Sequence, residues 1–481
     1  HKEDFHVDFY IQSLLPHQFT QLGPALAKAD LNGDGLEDFY VGGASSHAAT
    51  FFIQTSSGEF EPRVFEGDEA YEDVDALFFD ADGDTDLDLY VVSGGSVSGI
   101  QVERYQDRLY LNDGKGNFHK NLDALPEMYS STACVKAADY DGDGDEDLFI
   151  GGRLVAGKYP NIPQSYLLEN QGGRFVDVTE KVAKDLQHVG MVTDAEWADI
   201  NQDEKPDLVL LGEWMPISTF LNTGRTLKAH KPRGLSFSEG WWNCIEGADF
   251  DGDGDMDFLA GNLGLNTNYR AKEDEPVCIY AKDFDKNGSI DPILCQFIRG
   301  EEYPIASRDN LIKQLPYIES RFSDYKSYAK ANFAEVFSKE ELADALILKA
   351  HNFQSAYIEN LGNGEFTLHK LAPELQIAPI QDIWSGDVDG DDIPDALLIG
   401  NAYDTEVKIG RYDAFKGVYL KGLGDGIFEI MSGPDVGFLA DKNARKLVKI
   451  ERGGADPKEF FVLANNADSL QVFTYNQNLS E

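Results

Sequence analysis

The chain has 481 residues, with 41 Lys and Arg against 85 Asp and Glu, a formal charge of −44 and an isoelectric point near 4.4. A charge this negative argues against a polyanion such as DNA, RNA or an anionic membrane face as partner. Hydrophobic residues make up 42% and aromatics 12%, too many for an acidic disordered tail, and 46 Gly and 18 Pro punctuate the whole length, so the chain reads as folded and turn-rich.

No apolar run reaches the roughly 18 residues of a membrane helix, and no signal peptide is recognisable. The chain opens on His1 rather than Met, which reads as a mature or excised piece.

One nine-residue pattern, Asp-x-Asp/Asn-x-Asp/Asn-x-x-x-Asp, organises everything else and occurs seven times. In chain order, positions 1, 3, 5 and 9 are Asp30, Asn32, Asp34 and Asp38; Asp80, Asp82, Asp84 and Asp88; Asp139, Asp141, Asp143 and Asp147; Asp199, Asn201, Asp203 and Asp207. The last three copies supply Asp249, Asp251, Asp253 and Asp257; Asp283, Asp285, Asn287 and Asp291; Asp387, Asp389, Asp391 and Asp395. All 28 side chains are hard oxygen donors, 25 Asp and three Asn, and packing four into nine residues is strongly repulsive without a cation. The spacing is that of the first part of a Ca²⁺ loop, with the position-7 backbone carbonyl as a further ligand: Leu36, Asp86, Asp145, Lys205, Asp255, Ser289 and Ile393. Position 12 holds no Glu in any copy, which disfavours a helix-loop-helix hand, and Mg²⁺ does not need so many protein ligands. Seven Ca²⁺ would add 14 positive charges and bring −44 to −30, so much of the acidity is structural.

After most loops comes a continuous apolar strand ending in small residues, as in DFYVGGA at 38–44 and DLFIGGR at 147–153. A second hairpin often follows, with a Gly/Asn turn and then Phe, as in LYLNDGKGNF at 109–118 and YIENLGNGEF at 357–366. Inner and outer hairpins together predict a four-stranded sheet, and its radial repetition an all-β fold, a seven-bladed β-propeller with calcium-binding loops in one domain over 1–481. The count becomes eight if 345–368 forms its own blade. The loop at 283 sits where other blades have their outer turn and is read as part of the blade of the loop at 249. Within a helical insertion over 305–350, Phe322, Tyr325, Ala329, Phe333 and Val336 recur at helical spacing, and Ser338 with Glu341 forms a capping box before ELADALILKA. Residues 444–475 repeat the strand rhythm without acidic ligands.

Cys134 and Cys244 each lie five residues before a loop and read as half-buried strand residues, whereas Cys278 and Cys295 flank the loop at 283 and would face each other across a hairpin, which permits a bridge in an exported protein.

The loops with their Gly-ended strands resemble FG-GAP/VCBS repeats, the calcium-bearing blades also found in integrin α subunits. The stretches GWWNCIEGADFDGDGDMDFLAGNLGLNTNY at 240–269, EPVCIYAKDFDKNGSIDPI at 275–293, RDNL at 308–311 and GRYDAFKG at 410–417 are similar to the C-terminal propeller of bacterial proteins related to the cartilage acidic protein, which carry an UnbV/ASPIC module. That module is not evident in this chain. The resemblance implies an exported, calcium-binding or adhesive scaffold. Thr85 and Glu204 replace the usual Gly at loop position 6, so the loops at 80 and 199 are expected to bind more weakly or less regularly.

Because every loop joins a first strand to a second, strand entries and exits gather on the opposite face. Arg153, Trp214, Asn262, Asn266 and Asn401 come from exits, Trp241 and Trp242 from an entry, Arg411 and Asp413 from the GRYDA segment, and Arg308 and Asp309 from the insertion. Aromatics beside amides, carboxylates and arginines suit a carbohydrate or peptide groove; the alternative is blade packing and tight turns. Asp75, Asp194 and Asp382, each five residues before a loop, would line the central channel or solvate its rim. The nine His show no ligand spacing, and neither a nucleophile elbow nor a phosphate loop occurs. The expectation is a secreted, cell-surface or outer-membrane-associated module, with the periplasm as a further location. It binds a glycan or a protein partner rather than catalysing, and by family analogy serves as an accessory subunit of a bacterial outer-membrane uptake complex. The alternative is a calcium-dependent polysaccharide lyase or glycoside hydrolase.

Overall fold

The computed structural model describes residues 1–96, 102–453 and 458–474; Tyr475, which ends the last strand read from the sequence, lies outside them. Strands dominate, and all but the four of one inserted sheet fall into seven antiparallel groups in chain order. The first group is Leu26–Ala29, Asp38–Val41, Ala49–Gln54 and Phe60–Phe65. The second spans Asp73–Phe79 to Phe118–Lys120, the third Ser131–Ala138 to Phe175–Asp177, and the fourth Met191–Ala198 to Leu227–His230. The fifth pairs Gly240–Ala248 and Asp257–Asn262 with the distant hairpin Ala356–Asn360 and Phe366–Lys370. The sixth runs from Ile380–Gly386 to Phe428–Ser432, and the seventh has three described strands, Ala444–Arg452, Lys458–Asn465 and Gln471–Thr474. The fourth and fifth groups are joined where Glu213 pairs with Trp241 and Met215 with Gly240. Each group's first strand touches the first strand of the next, and that of the seventh touches that of the first.

Hydrophobic clusters sit between successive groups rather than in one central core. Tyr90 and Val92 of the second group meet Leu148 and Ile150 of the third, and Leu397 and Ile399 of the sixth meet Phe461 and Leu463 of the seventh. This is why the second strands read as unbroken apolar runs: both faces are covered, and Asp88–Ser93 and Asp207–Met215 are buried throughout. Their small exits have a steric cause. A Cβ at Gly212 would collide with the carbonyl of Met191, and one at Gly400 with that of Pro379.

Around the ring, first strands are also tied by carboxylates. Asp75 Oδ2 accepts the N–H of Val135 at 3.2 Å, Asp194 Oδ2 that of Ile245 at 3.0 Å, and Asp382 Oδ2 that of Leu447 at 2.7 Å, each in the following group. The equivalent positions of groups one, three and five hold Ala25, Cys134 and Cys244, all buried. Two lysines complete the ring. Lys136 Nζ lies 3.3 Å from Asp194, and Lys446 Nζ 3.4 Å from Asp75. Burial works against the charge of Lys446, but Asp75, Asp382 and Asp194 outweigh it and hold the ammonium protonated.

The fifth group differs from the sequence reading. The loop at 283 joins Val277–Lys282 to Asp291–Ile298 in a separate four-stranded sheet with Glu301–Pro304 and Leu346–Ala350, inserted between the fifth group's two hairpins. Residues 356–370 complete the fifth group instead of forming one of their own. Short helices, Arg308–Gln314, Ile318–Arg321, Tyr325–Tyr328 and Phe333–Val336, pack on this inserted sheet. Ser338 and Glu341 do exchange capping hydrogen bonds, at 2.7 and 3.3 Å, but no helix follows. The edge of Val277–Lys282 takes 346–350 as a strand, so ladder bonds override the helical propensity of ELADALILKA. Cys278 and Cys295 are direct cross-strand partners, buried and free, and the Cys295 thiol donates to Glu302 at 2.9 Å.

Asp194→Ala is expected to cost about 3 kcal/mol in equilibrium unfolding, because it leaves a buried N–H at Ile245 unpaired and strips Lys136 of a counter-charge. Asp194→Asn should cost less, since the amide oxygen can still accept. Equal midpoints for wild type and Asp194→Ala would refute the tie.

Candidate metal centres and the opposite face

The seven loops share one backbone course. Position 4 (Gly33, Gly83, Gly142, Gln202, Gly252, Lys286, Gly390) and position 6 (Gly35, Thr85, Gly144, Glu204, Gly254, Gly288, Asp392) have positive φ in every copy. That course lets the first Asp chelate the loop's own N–H groups: Asp30 accepts from Gly33 at 2.9 Å and Gly35 at 2.8 Å, and Asp199 from Asp203 at 3.0 Å and Glu204 at 2.7 Å. Thr85 (φ 79) and Glu204 (φ 62) thus follow the same turn as the glycines and carry its strain. Asp392, a third such position, has no counterpart in the sequence reading.

The ninth residue does a different job. Asp38, Asp88, Asp147, Asp207, Asp257, Asp291 and Asp395 are all buried. One oxygen of Asp38 accepts the N–H of Leu31 inside its loop at 3.2 Å and the other that of Gln54 on the third strand at 2.6 Å. Asp88, Asp147, Asp207 and Asp395 repeat this with Asn112, Asn170, Asn222 and Gly422 as the third-strand donors. In the inserted sheet Gln314 Nε2 takes the outer place on Asp291 at 2.6 Å. The Asn residues add a second bond: Asn112 Nδ2 donates to Leu31 O, Asn170 to Ala81 O and Asn222 to Tyr140 O, each in the loop of the preceding group. These amides stand in the sequence as the Asn of LYLN, LLEN and TFLN.

Positions 1, 3 and 9 converge. In Asp80, Asp82 and Asp88, in Asp139, Asp141 and Asp147, and in Asp249, Asp251 and Asp257, one carboxylate oxygen from each lies within 4.8 Å of the others, a spacing that can hold a metal ion. Several loop oxygens are buried without a partner: Asp145 Oδ1, Asn201 Oδ1, both of Asp255 and Asp389 Oδ1. Burial and then Asp253 push the Asp255 carboxyl up to about 7, and burial with Asp143 pushes Asp145 to about 6. Orphaned hard oxygens beside like charges are what a divalent cation bound by carboxylates would satisfy, so the donor set fits one. Two loops hold an ammonium of their own. Lys421 Nζ pairs with Asp389 and lies 3.3 Å from Asp391, and Lys205 Nζ is 2.9 Å from Asp203.

At the far ends of the strands lies a cavity of about 170 Å³, to which every group contributes near its first-strand entry, from Pro24 in the first to Lys446 in the seventh. Residues 16–18 close one side. That segment is anchored by the buried carboxylate of Asp8, which accepts from the N–H groups of Phe19 and Thr20, by Gln12 Nε2 on Tyr159 O and Ile290 O, and by the pairing of His17 with Thr405.

The structure brings Arg153, Trp241 and Trp242 to this cavity together with Glu213 and His17, which the sequence reading did not single out as one cluster. Glu213 is 2% exposed and accepts from Arg153 Nη2 and Tyr159 Oη, with His17 Nε2 at 3.3 Å. Burial raises its carboxyl, but His17 and Arg153 more than offset this and hold it ionised. Trp214, with φ 60, sits behind them, donating from Nε1 to Tyr159 Oη at 2.6 Å and packing edge-on against Trp241 at 5.1 Å. Trp242 is fully buried with Nε1 on Ser238 O. Asn262 and Asn401, also fully buried, spend their amides on backbone, Asn262 on Trp241 and Leu263 N–H and Asn401 on Phe415. Asn266 donates to Ile377 O at an exposed turn. Arg411 lies over Tyr403 and Asp413 is exposed. Arg308 and Asp309 pair on the insertion 3.4 Å apart; neither they nor Arg411 and Asp413 line the cavity.

Three segments, 30–91, 96–150 and 199–260, match the FG-GAP-like repeat, and together they contain five of the seven loops. No curated protein matches the chain. Among solved structures it is similar to the V. cholerae biofilm matrix protein Bap1, at 11% identity and a TM-score of 0.36 over 98% of this chain and 90% of that one. It is also similar to Saccharomyces cerevisiae Sqt1, at 10% identity and a TM-score of 0.43 over 96% of this chain and 97% of that one. Similarities this low carry no argument about function.

Glu204→Gly is expected to stabilise the fold by about 0.5–1 kcal/mol, the relief of a left-handed backbone less the added chain entropy, and Thr85→Gly by a similar amount. Glu204→Ala, which keeps the Cβ, should give no gain. A thermal midpoint lowered by both glycine variants would contradict the strain.

Proposed function

We propose that the seven strand groups are the blades of a closed seven-bladed β-propeller whose loops bind Ca²⁺. We further propose that the protein acts at the cell surface as a binding or scaffold module for a glycan or a protein partner. The observation that carries this reading is the separation of two chemistries at opposite ends of the same strands. Convergent carboxylates occupy one face, and a cavity to which all seven groups contribute occupies the other. When bound, the cation supplies charge neutralisation. The chain's own residues place it: Asp at position 1 and Asp or Asn at position 3 from the loop, Asp at position 9 from the base of the second strand. The FG-GAP-like repeats support a binding role. The proposal extends to an accessory subunit of an outer-membrane uptake complex, which a stoichiometric partner retained through mild detergent extraction would support. We propose that the chain binds rather than catalyses; release of reducing or unsaturated ends from a polysaccharide panel would overturn that.

Thermal unfolding with Ca²⁺ and with excess chelator, and elemental analysis of the same sample, test the metal. About five to seven Ca²⁺ per chain and a midpoint lowered by about 10 °C or more on chelation are expected, because ligands bound only by the folded state stabilise it by mass action. Near-zero metal with no shift refutes the calcium reading. Lys421→Met removes the ammonium that now sits on Asp389 and Asp391, and is expected to raise the metal content by one equivalent. An unchanged content would mean that the lysine does not compete.

A further inference from the structure

We infer that the axial cavity takes a single carboxylate-bearing sugar, a hexuronate residue at the end of a glycan. This deepens the reading of the face opposite the loops as a ligand surface and rests on it. Three nitrogens on cavity-lining side chains are buried with no protein acceptor: Arg153 Nη1, Trp241 Nε1 and Arg445 Nε. All three are donors, and no cavity-lining side chain leaves an acceptor in that condition among the described residues. Arg153 and Trp241 are 6% and 5% exposed, so these N–H groups are not satisfied at the protein surface. Leaving such donors unpaired is costly, most of all for a charged group, and a ligand whose oxygen acceptors reach them recovers that energy on binding. A carboxylate is the acceptor suited to two guanidinium groups.

Neither arginine is exhausted by its counter-ion. A guanidinium has five N–H donors; Arg153 pairs with Glu213 through Nη2, and Arg445 with Asp404 through Nη2 at 3.1 Å. The Lys446 ammonium, also on the lining, is held by Asp75 at 3.4 Å, so the two guanidinium groups are the lining cations with buried N–H groups left over. The rest of the wall mixes aromatic and aliphatic side chains with polar ones, among them Asp194, Glu213 and Asp404, each already paired with a cation. Trp241 and Tyr269 meet edge to face at 4.9 Å, and Tyr412 and Leu263 stand beside them, a surface that packs against the C–H face of a sugar ring. Size sets the upper limit. At about 170 Å³ the cavity is smaller than the roughly 300 Å³ of a pocket for a drug-sized ligand and takes one ring.

Isothermal titration calorimetry of the full, Ca²⁺-loaded chain tests this with D-glucuronate and D-galacturonate, using glucose, galactose and an N-acetylated dipeptide with a free carboxylate as comparators. A panel of neutral and uronate-ended oligosaccharides completes the set. At least one uronate is expected to bind about tenfold or more tighter than its neutral hexose. Trp241→Phe, which removes one donor and keeps an aromatic ring, should weaken that binding about fivefold, and Arg445→Gln about tenfold, with melting temperatures close to wild type. Equal binding of uronate and hexose overturns the proposal. So does uronate affinity unchanged in Trp241→Phe, or a dipeptide that binds where uronates do not. If neutral glycans bind and the cavity variants weaken them while uronates fail, the ligand face stands and the uronate falls. If no glycan or partner responds to either variant, both fall.

Discussion

Six of the seven strand groups each hang on one buried carboxylate, and the seventh has no acidic loop. The ninth residue of the loop begins the second strand, and in five groups its two oxygens accept one N–H from the loop and one from the third strand, while Asp257 of the fifth accepts from the Tyr357 hydroxyl and the Asn360 N–H; in each case a single Asp joins the inner hairpin to the outer one. Burial of that group pushes Asp38, Asp88 and Asp207 up to about 6 and Asp147 to about 7. The N–H donors oppose this shift, and a cation on the same oxygens would oppose it further. Architecture and metal chemistry therefore share atoms. The loop cannot be redrawn without disturbing the sheet, and the sheet presents the carboxylate whether or not the loop is a good one.

The same economy explains how a chain with a charge of −44 folds into a ring. The acidic residues are distributed by role. Loop carboxylates chelate their own backbone, those of the first strands tie neighbouring groups, and the two central lysines hold the latter together. In the inserted sheet the pattern persists with a substitute: Gln314, from a helix, replaces the third-strand N–H on Asp291. The loop motif needs a donor at that place and accepts it from any element that reaches.

Much of this was legible in the residues because the constraints are local. A nine-residue loop is encoded in nine residues, an outer turn in a Gly/Asn run, a doubly covered strand in an apolar run. The equivalence of Cys134 and Cys244 was legible for the same reason. What escaped was non-local. The hairpin carrying the loop at 283 pairs within an inserted sheet because 346–350 returns to its edge 64 residues after Lys282, and no local signal marks that return. ELADALILKA satisfies helical propensity and strand pairing equally well as a string, and only the open edge decides. Among the candidate ligand residues, Asn262 and Asn401 look alike in sequence to exposed amides yet turn inward to satisfy backbone, whereas Arg153 and Trp241 converge on Glu213 and His17 from four separate stretches of chain.

The segment at 8–20 gives the cavity an unusual dependence. Its wall at 16–18 comes from no strand group; it is strapped across the ring by Asp8, by Gln12 and by the pairing of His17 with Thr405. The ring supplies the floor and most of the donors, and a peptide of about a dozen residues completes the shape. Ligand selectivity can therefore change through residues 8–20 while the repeats stay as they are, so that recognition drifts on a different clock from the scaffold beneath it. For anyone handling the protein, a bulky tag fused just ahead of this strap would be placed beside the part of the molecule that closes the cavity.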